Sequence, residues 1–338
     1  MYQLQENISL KPYNTFGIDV KARFFAEISD KQDLKELRKS TAFAEKKILV
    51  LGGGSNMLFT EDFDGLVIRI SIPGITAEFS EVDVTVTAGA GVVWNDLVNY
   101  CIDEDLAGIE NLTLIPGTVG ASPIQNIGAY GVELKDVFES CEAFEIATGE
   151  FKQFSFTDCQ FAYRDSVFKN ELKGQYIITE VTFRLNTHKK INSQYGAIQA
   201  LLVERNIVKP DIADISAIVA EIRVGKLPDP STIGNAGSFF KNPVIEKDEY
   251  EKIKLLFPEM ISYPAGAGKM KLAAGWLIEQ CGFKGMVDGH TGTWKNQALV
   301  LVNHGGATGK EVYSFSERII DTVHSKFGVK LEREVNIL

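Results

Sequence analysis

The sequence predicts an α+β protein of more than one domain, and three observations carry that reading. Alternating apolar and polar runs, such as Val82–Thr87 and Tyr176–Leu185, read as half-buried strands without the strand–helix rhythm of a doubly wound sheet. Two glycine-rich segments, Gly52–Asn56 and Pro116–Gly131, interrupt the first half, and neither spells GxGxxG, so a Rossmann domain is not expected. Finally, Gly225 and the stretch Lys226–Pro230 end a helical pattern and mark a domain boundary in the 338-residue chain.

Taken in order, Ser29-Asp30-Lys31-Gln32 is a capping box that opens a helix to about Lys47, with Leu34, Leu37 and Phe43 on one side. The strand Ile48–Leu51 runs into the first glycine loop. Gly65–Ile70, Thr76–Phe79 and Val82–Thr87 read as further strands, and Trp94–Leu106 as a helix with Leu97, Val98, Cys101 and Ile102 facing a core. Val137–Ile146 and Phe151–Phe156 form a hairpin about a Thr148-Gly149 turn. Asn186–Asp211 reads as polar and irregular. Ile215, Ile218, Val219 and Ile222 place a helix over Asp214–Val224, closed by Gly225. Beyond the boundary come a strand edged by turns at Asn235–Pro243 and helices at Lys247–Phe257 and Lys271–Cys281. A strand at Ala298–Val302 follows, then a helix opened by the capping box Thr308–Glu311, and a last strand at Leu331–Ile337.

Composition narrows the function. A net charge of −10 argues against nucleic-acid or anionic-membrane partners. The N-terminal residues lack a basic start and apolar run, so no signal peptide is expected, and no apolar stretch approaches bilayer length. The four cysteines, at 101, 141, 159 and 281, form no CxxC pair, which suggests reduced thiols in a cytoplasm. The four histidines are scattered and form no HExxH, so no metal is expected.

The segment PGTVGASPIQNIGAYG, residues 116–131, combines glycine, which permits positive φ and close backbone approach, with proline, which fixes φ. Only Val119, Ile124, Ile127 and Tyr130 could anchor it in a core. Such a segment is suited to laying backbone N–H groups against something flat and anionic, a phosphorylated cofactor above all. Singly, the other signals have plain structural readings. A glycine triplet after a strand is commonly a turn, Arg164 and Glu334 would be surface charges or a structural ion pair, and Ser238 would satisfy a neighbouring backbone group.

Their joint order is more specific. LGGGSN, PGTVGASPIQNIGAYG, YRDS, KLPDP, GNAGSFFKNP and LEREV, spread over nearly the whole chain, closely resemble the UDP-N-acetylenolpyruvoylglucosamine reductase family, bacterial flavoenzymes of peptidoglycan precursor synthesis. Ser193–Gly196 is similar to the tyrosine loop of the family's longer type. The resemblance implies an FAD-binding domain of the vanillyl-alcohol-oxidase (PCMH) type followed by a smaller α+β substrate domain. It divides the chain into FAD subdomains at 1–70 and 71–225 and a substrate domain at 226–326, with 327–338 returning to the active-site cleft.

The same resemblance implies catalytic roles for Arg164, Ser238 and Glu334. It implies FAD contacts at Gly52, Gly53, Gly54, Ser55, Asn56, Pro116, Gly117, Ser122, Pro123, Gln125, Asn126, Ile127, Gly128, Gly131 and Arg164. Substrate contacts fall on Tyr195, Arg223, Lys226, Asn242 and Gln297, and Arg333 stands where the family often has proline. NADPH is the implied hydride donor, a UDP-sugar enolpyruvyl ether the substrate, and a monomer the expected state. No His or Cys lies in either glycine loop, so the FAD is expected to be non-covalent. The alternatives are an FAD oxidase of the same fold, whose members often tether flavin through those residue types, and a non-catalytic nucleotide-binding module.

Overall fold

A computed structural model describes residues 2–45, 47–81, 83–187, 191–266 and 268–338. Val82, Lys46 and residues 188–190 of the segment read as irregular lie outside the described residues. The chain divides into two compact units. The first comprises Met1–Ile8, Ala22–Gly53 and Asp64–Arg223; the second comprises Ser9–Lys21, Gly54–Phe63 and Val224–Leu338. The glycine triplet is therefore split, Gly52 and Gly53 belonging to one unit and Gly54 to the other.

In the first unit, strand Lys47–Leu51 runs parallel to Phe63–Ile70 in a four-stranded sheet. A five-stranded antiparallel sheet orders Phe151–Ser155, Phe138–Glu145, Tyr176–Asn186, Asp83–Gly89 and Ile75–Phe79. Alternation makes this sheet: Val84, Val86 and Ala88 on one strand and Val181, Phe183 and Leu185 on its partner turn inward. Helix Trp94–Asp103 covers them with Trp94, Leu97, Val98 and Cys101. Trp94 meets Phe183 edge-on at 6.0 Å and donates its indole N–H to the Leu112 carbonyl at 3.0 Å. Burial of each such side chain stabilises the unit by about 1.5–3 kcal/mol.

The second unit holds an antiparallel sheet ordered Gly234–Ser238, Gln297–Asn303, Thr291–Trp294 and Val287–Asp288. Helices Ala274–Gln280 and Gly309–Phe327 belong to it. Its early segments are tied in by long-range bonds: Asn303 Nδ2 donates to the Phe16 carbonyl at 2.9 Å, and Thr15 Oγ1 to that of Asn235 at 2.6 Å. Among the described residues no helix is long and apolar enough to cross a membrane.

Several expected elements are corrected. The first helix is two, Lys31–Leu37 and Thr41–Glu45; its cap is Asp30, whose side chain accepts from the Gln32 amide, and Ser40 accepts from the Phe43 amide to start the second. The stretch read as irregular contains helix Gly196–Glu204, whose Ile198 and Leu202 pack with Ile215, Ile218 and Val219. Gly225 lies inside helix Ile212–Lys226, so the stop comes from the following Leu227-Pro228. Lys269–Leu272 is a strand, and the helix expected from Lys271 begins at Ala274. The last strand shrinks to Asn336–Ile337, paired in parallel with Met57–Leu58.

Candidate active site

In the first unit the two glycine loops meet. A Cβ added at Gly53 would stand 2.9 Å from the Gly117 Cα, and one at Gly52 would stand 2.5 Å from Thr118 Oγ1. A side chain at Gly53 would meet backbone and one at Gly52 the Thr118 hydroxyl, so this junction favours bare residues. The Gly117 carbonyl accepts from the Trp94 amide at 3.0 Å, and the Val119 and Gly120 amides bond to the Val92 and Ala90 carbonyls at 2.9 Å. At the same junction Thr118 Oγ1 is buried and has no hydrogen-bond partner among the described residues. A buried hydroxyl left unsatisfied costs about 1–3 kcal/mol, a loss that a polar ligand would remove.

Further along the loop, Ser122 and Asn126 brace the chain. Ser122 Oγ donates to the Val119 carbonyl at 2.6 Å. Asn126 donates to the Ala162 carbonyl at 3.0 Å and to Glu133 Oε2 at 3.2 Å, and accepts from the Lys135 amide at 3.0 Å. Pro123 is buried beside them, its carbonyl accepting from the Asn126 amide at 3.4 Å, and Ile127 is tied to Ser122 and Leu134. Pro116 and Gly131 are exposed and Gln125 half-buried.

Arg164 occupies a left-handed conformation, φ 54°, which for a residue with a Cβ costs of order 1–3 kcal/mol. That geometry accompanies a hydrogen bond from its Nη2 to the Gly128 carbonyl at 2.5 Å, and a Cβ at Gly128 would sit 2.9 Å from Arg164 Nη1. Arg223 is close enough for the two like charges to interact, and Arg223 shares a hydrogen bond with Tyr130. Burial, then the Arg164 charge, pulls the Arg223 guanidinium below its ordinary value, while Tyr130 opposes that shift. Burial raises the Tyr130 phenol, with Arg223 acting against it. The Tyr195 ring meets that of Tyr130 edge-on at 5.3 Å and is itself 45% exposed. The first unit thus assembles Arg164, Arg223, Tyr195 and Gly128 in one cationic, aromatic cluster. Two guanidiniums beside two phenols suit an anionic ligand. Tyr130 was legible in sequence only as an apolar anchor.

The second unit brings Ser238 and Glu334 onto neighbouring backbones. The Glu334 amide donates to the Phe239 carbonyl at 2.9 Å, Phe240 bridges Arg333, and the Lys241 amide donates to the Glu332 carbonyl at 2.9 Å. Phe239 and Phe240 are buried, while Ser238 is exposed and its hydroxyl makes no hydrogen bond among the described residues. Arg333 reaches onto the long helix: its Nε donates to Ser316 Oγ at 2.9 Å, it pairs with Glu317, and it lies 4.5 Å from the Tyr313 ring centroid.

Asn56 Nδ2 donates to the Glu334 carbonyl at 3.4 Å, and the Asn56 carbonyl accepts from the Asn336 amide at 3.2 Å. Gly54 has φ 63°, and a Cβ there would stand 2.0 Å from the Tyr13 carbonyl oxygen; Ser55 lies between them. Asn242 Oδ1 accepts from the Ala274 amide at 3.0 Å, and Gln297 Oε1 from that of Leu299 at 3.3 Å. Lys226 is exposed at the last position of its helix. Trp294 Nε1, also buried, finds no partner among the described residues.

Comparison with known proteins gives the family. Residues 22–155 match a family model for an FAD binding domain, and residues 229–338 one for the C-terminal domain of UDP-N-acetylenolpyruvoylglucosamine reductase. The chain is 49% identical to the reductase of that name from Flavobacterium johnsoniae, over 99% of this chain and 100% of the relative. It is 47% identical to the Pseudomonas aeruginosa reductase over 99% of both. The chain belongs to the UDP-N-acetylenolpyruvoylglucosamine reductase family. The crystal structure of UDP-N-acetylenolpyruvylglucosamine reductase from Thermus caldophilus shares the fold, with a TM-score of 0.68 and 24% identity, over 100% of this chain and 99% of that one.

As a member of this reductase family the chain is an oxidoreductase. It carries the expected PCMH-type FAD-binding domain followed by the family's C-terminal domain. The family uses FAD and NADPH and acts on a UDP-sugar enolpyruvyl substrate. One feature fits FAD: beside the closely packed Gly52-Gly53 and Gly117-Thr118 junction, the unsatisfied Thr118 hydroxyl is matched to a polar group.

Proposed function

We propose that this chain is a monomeric, cytoplasmic enzyme that reduces UDP-N-acetylglucosamine enolpyruvate to UDP-N-acetylmuramate, with NADPH as the hydride donor and FAD held without a covalent bond. The observation that carries this reading is the 47–49% identity to reductases over the whole chain. The pairing of the Ser238 and Glu334 segments supports it. The absence of His and Cys from both glycine loops supports non-covalent flavin.

When bound, FAD supplies the hydride that reaches C3 of the enolpyruvyl group. Gly52 to Asn56 and Pro116 to Gly131 would hold it, with the Thr118 hydroxyl as a polar contact. The Arg164 guanidinium grips the substrate carboxylate with two parallel hydrogen bonds and stabilises the negative charge that builds there and on C2. Glu334, when protonated, donates a hydrogen bond to that charge. Ser238 delivers the proton to C2; its hydroxyl is open to a ligand, as a general acid must be. Arg223 and Lys226 balance the charge of the sugar nucleotide, Asn242 and Gln297 bind it, and Tyr195 covers it.

Anaerobic stopped-flow tests the reading. NADPH should bleach the flavin, and the enolpyruvyl sugar nucleotide should then restore its colour. Flavin that dioxygen reoxidises but the enolpyruvyl compound does not would identify an oxidase and defeat the proposal.

A further inference from the structure

Asn111 is fully buried on the short 3-10 turn Glu110–Leu112, yet its polarity serves no packing need. Its Nδ2 donates twice, to the Tyr130 carbonyl at 3.1 Å and to the Asn192 carbonyl at 2.9 Å. Its Oδ1 is buried and has no partner among the described residues. A leucine of similar branching would remove that unsatisfied acceptor but would take the donors away from the Tyr130 and Asn192 carbonyls, so the amide is explained by the two carbonyls it holds. What the amide does accomplish is a join. Tyr130 and Gly131, both left-handed at φ 50° and 83°, end the long glycine loop. Asn192 leads into the segment that carries Tyr195, and its own Nδ2 returns to the Gly131 carbonyl at 3.1 Å. Two residues on, buried Thr113 shares a 2.8 Å hydrogen bond with Ser216, on the helix that carries Arg223. One turn therefore touches the supports of Tyr130, Tyr195 and Arg223.

We propose that Asn111 is a positioning residue that latches the Tyr195 segment to the end of the glycine loop, so that the substrate meets Tyr130, Tyr195 and Arg223 as one preformed clamp. The latch consists of neutral hydrogen bonds to backbone, strong enough to hold a segment and weak enough to release it. The substrate consequence rests on the proposed function; the latch itself does not.

Asn111→Leu in the FAD-loaded full chain is the test. Amide hydrogen exchange over residues 191–196 should accelerate tenfold or more, while FAD content and the rate of flavin reduction by NADPH stay near normal. KM for the enolpyruvyl sugar nucleotide should rise about tenfold, with kcat changing less. If the leucine variant does not fold, Asn111→Asp, which keeps the volume and removes donated hydrogens, should show the same pattern. Unchanged exchange over 191–196 would overturn the latch. So would a parallel loss of FAD and thermal stability without the KM effect, since that marks a merely structural residue. Should the unaltered enzyme fail to reduce the enolpyruvyl compound, the proposed function falls, and the exchange measurement, which needs no substrate, still decides the latch.

Discussion

Gly53 and Gly117 bring two loops of the first unit together by lacking side chains, whereas Ser238 and Glu334 of the second unit carry theirs on paired backbones. The first arrangement is a wall, and any added atom collides with main chain. The second is an edge, where an exposed strand end presents a hydroxyl over two buried phenylalanines. The difference teaches where tolerance lies. The edge should accept substitution without loss of structure and lose chemistry, and the wall should lose its ligand before any chemistry begins.

Ser238→Ala probes the edge most severely. Reoxidation of reduced flavin by the enolpyruvyl substrate should slow by about 10²–10⁴-fold, the usual worth of a positioned general acid. Flavin reduction by NADPH should stay near normal in the same stopped-flow trace. Equal slowing of both halves would reduce Ser238 to a brace for its strand.

Gly53→Ala addresses the wall. Pushing the two loops apart should cost about 1–3 kcal/mol, or roughly 5–150-fold in FAD affinity. Fluorescence titration of the apoprotein reads this directly, and unaltered FAD affinity would mean that the junction of Gly53 with Gly117 does not support the cofactor.

Lys226→Ala should raise KM for the sugar nucleotide about tenfold, the worth of one hydrogen bond to a charged group, and leave flavin reduction alone. An unchanged KM would leave Lys226 as the exposed end of a helix.

Arg333→Ala should have the smallest effect. Its hydrogen bond to Glu317, followed by that from Tyr313, holds the Glu317 carboxyl below its ordinary value. A depressed carboxyl contributes stability that is full above the unfolded value, about 4.3, and is lost as pH falls through the lower folded value. Because the Glu317 side chain is 41% exposed, screening limits the contribution to about 0.5–1 kcal/mol. Thermal unfolding at pH 7 should therefore separate variant from parent by about 1–2 °C, and the gap should narrow near pH 3. A gap that persists would assign the loss to packing on Tyr313.

The wall was legible in sequence because a missing side chain is a local signal, and helix Gly309–Phe327 because its capping box at Thr308 and its left-handed Gly328 are local too. The edge was legible only through family resemblance. Nothing local in LEREV states that it lies beside GSFFKNP, and its extended backbone reads as a strand although only Asn336–Ile337 joins a ladder. Tyr130 and Asn111 escaped for the same reason: their importance depends on partners at Arg223 and Asn192 that folding alone brings near. Helix Gly196–Glu204 escaped because its N-cap is Tyr195, whose side chain makes no capping bond.

The composition of the second unit has a consequence for how the chain is made. Its segments Ser9–Lys21 and Gly54–Phe63 bond to each other, as the Thr15 amide does to the Gly54 carbonyl at 3.1 Å, but leave the ribosome long before their partners in the rest of the unit. Thr15 and its acceptor Asn235 are 220 positions apart, roughly 11–44 s of synthesis at 5–20 residues per second. Through that interval their bonds to the later part of the second unit stay unmade while the first unit is synthesised. A chaperone that shields nascent apolar stretches would find its substrate in Leu10, Phe16 and Ile18, all buried in the finished protein.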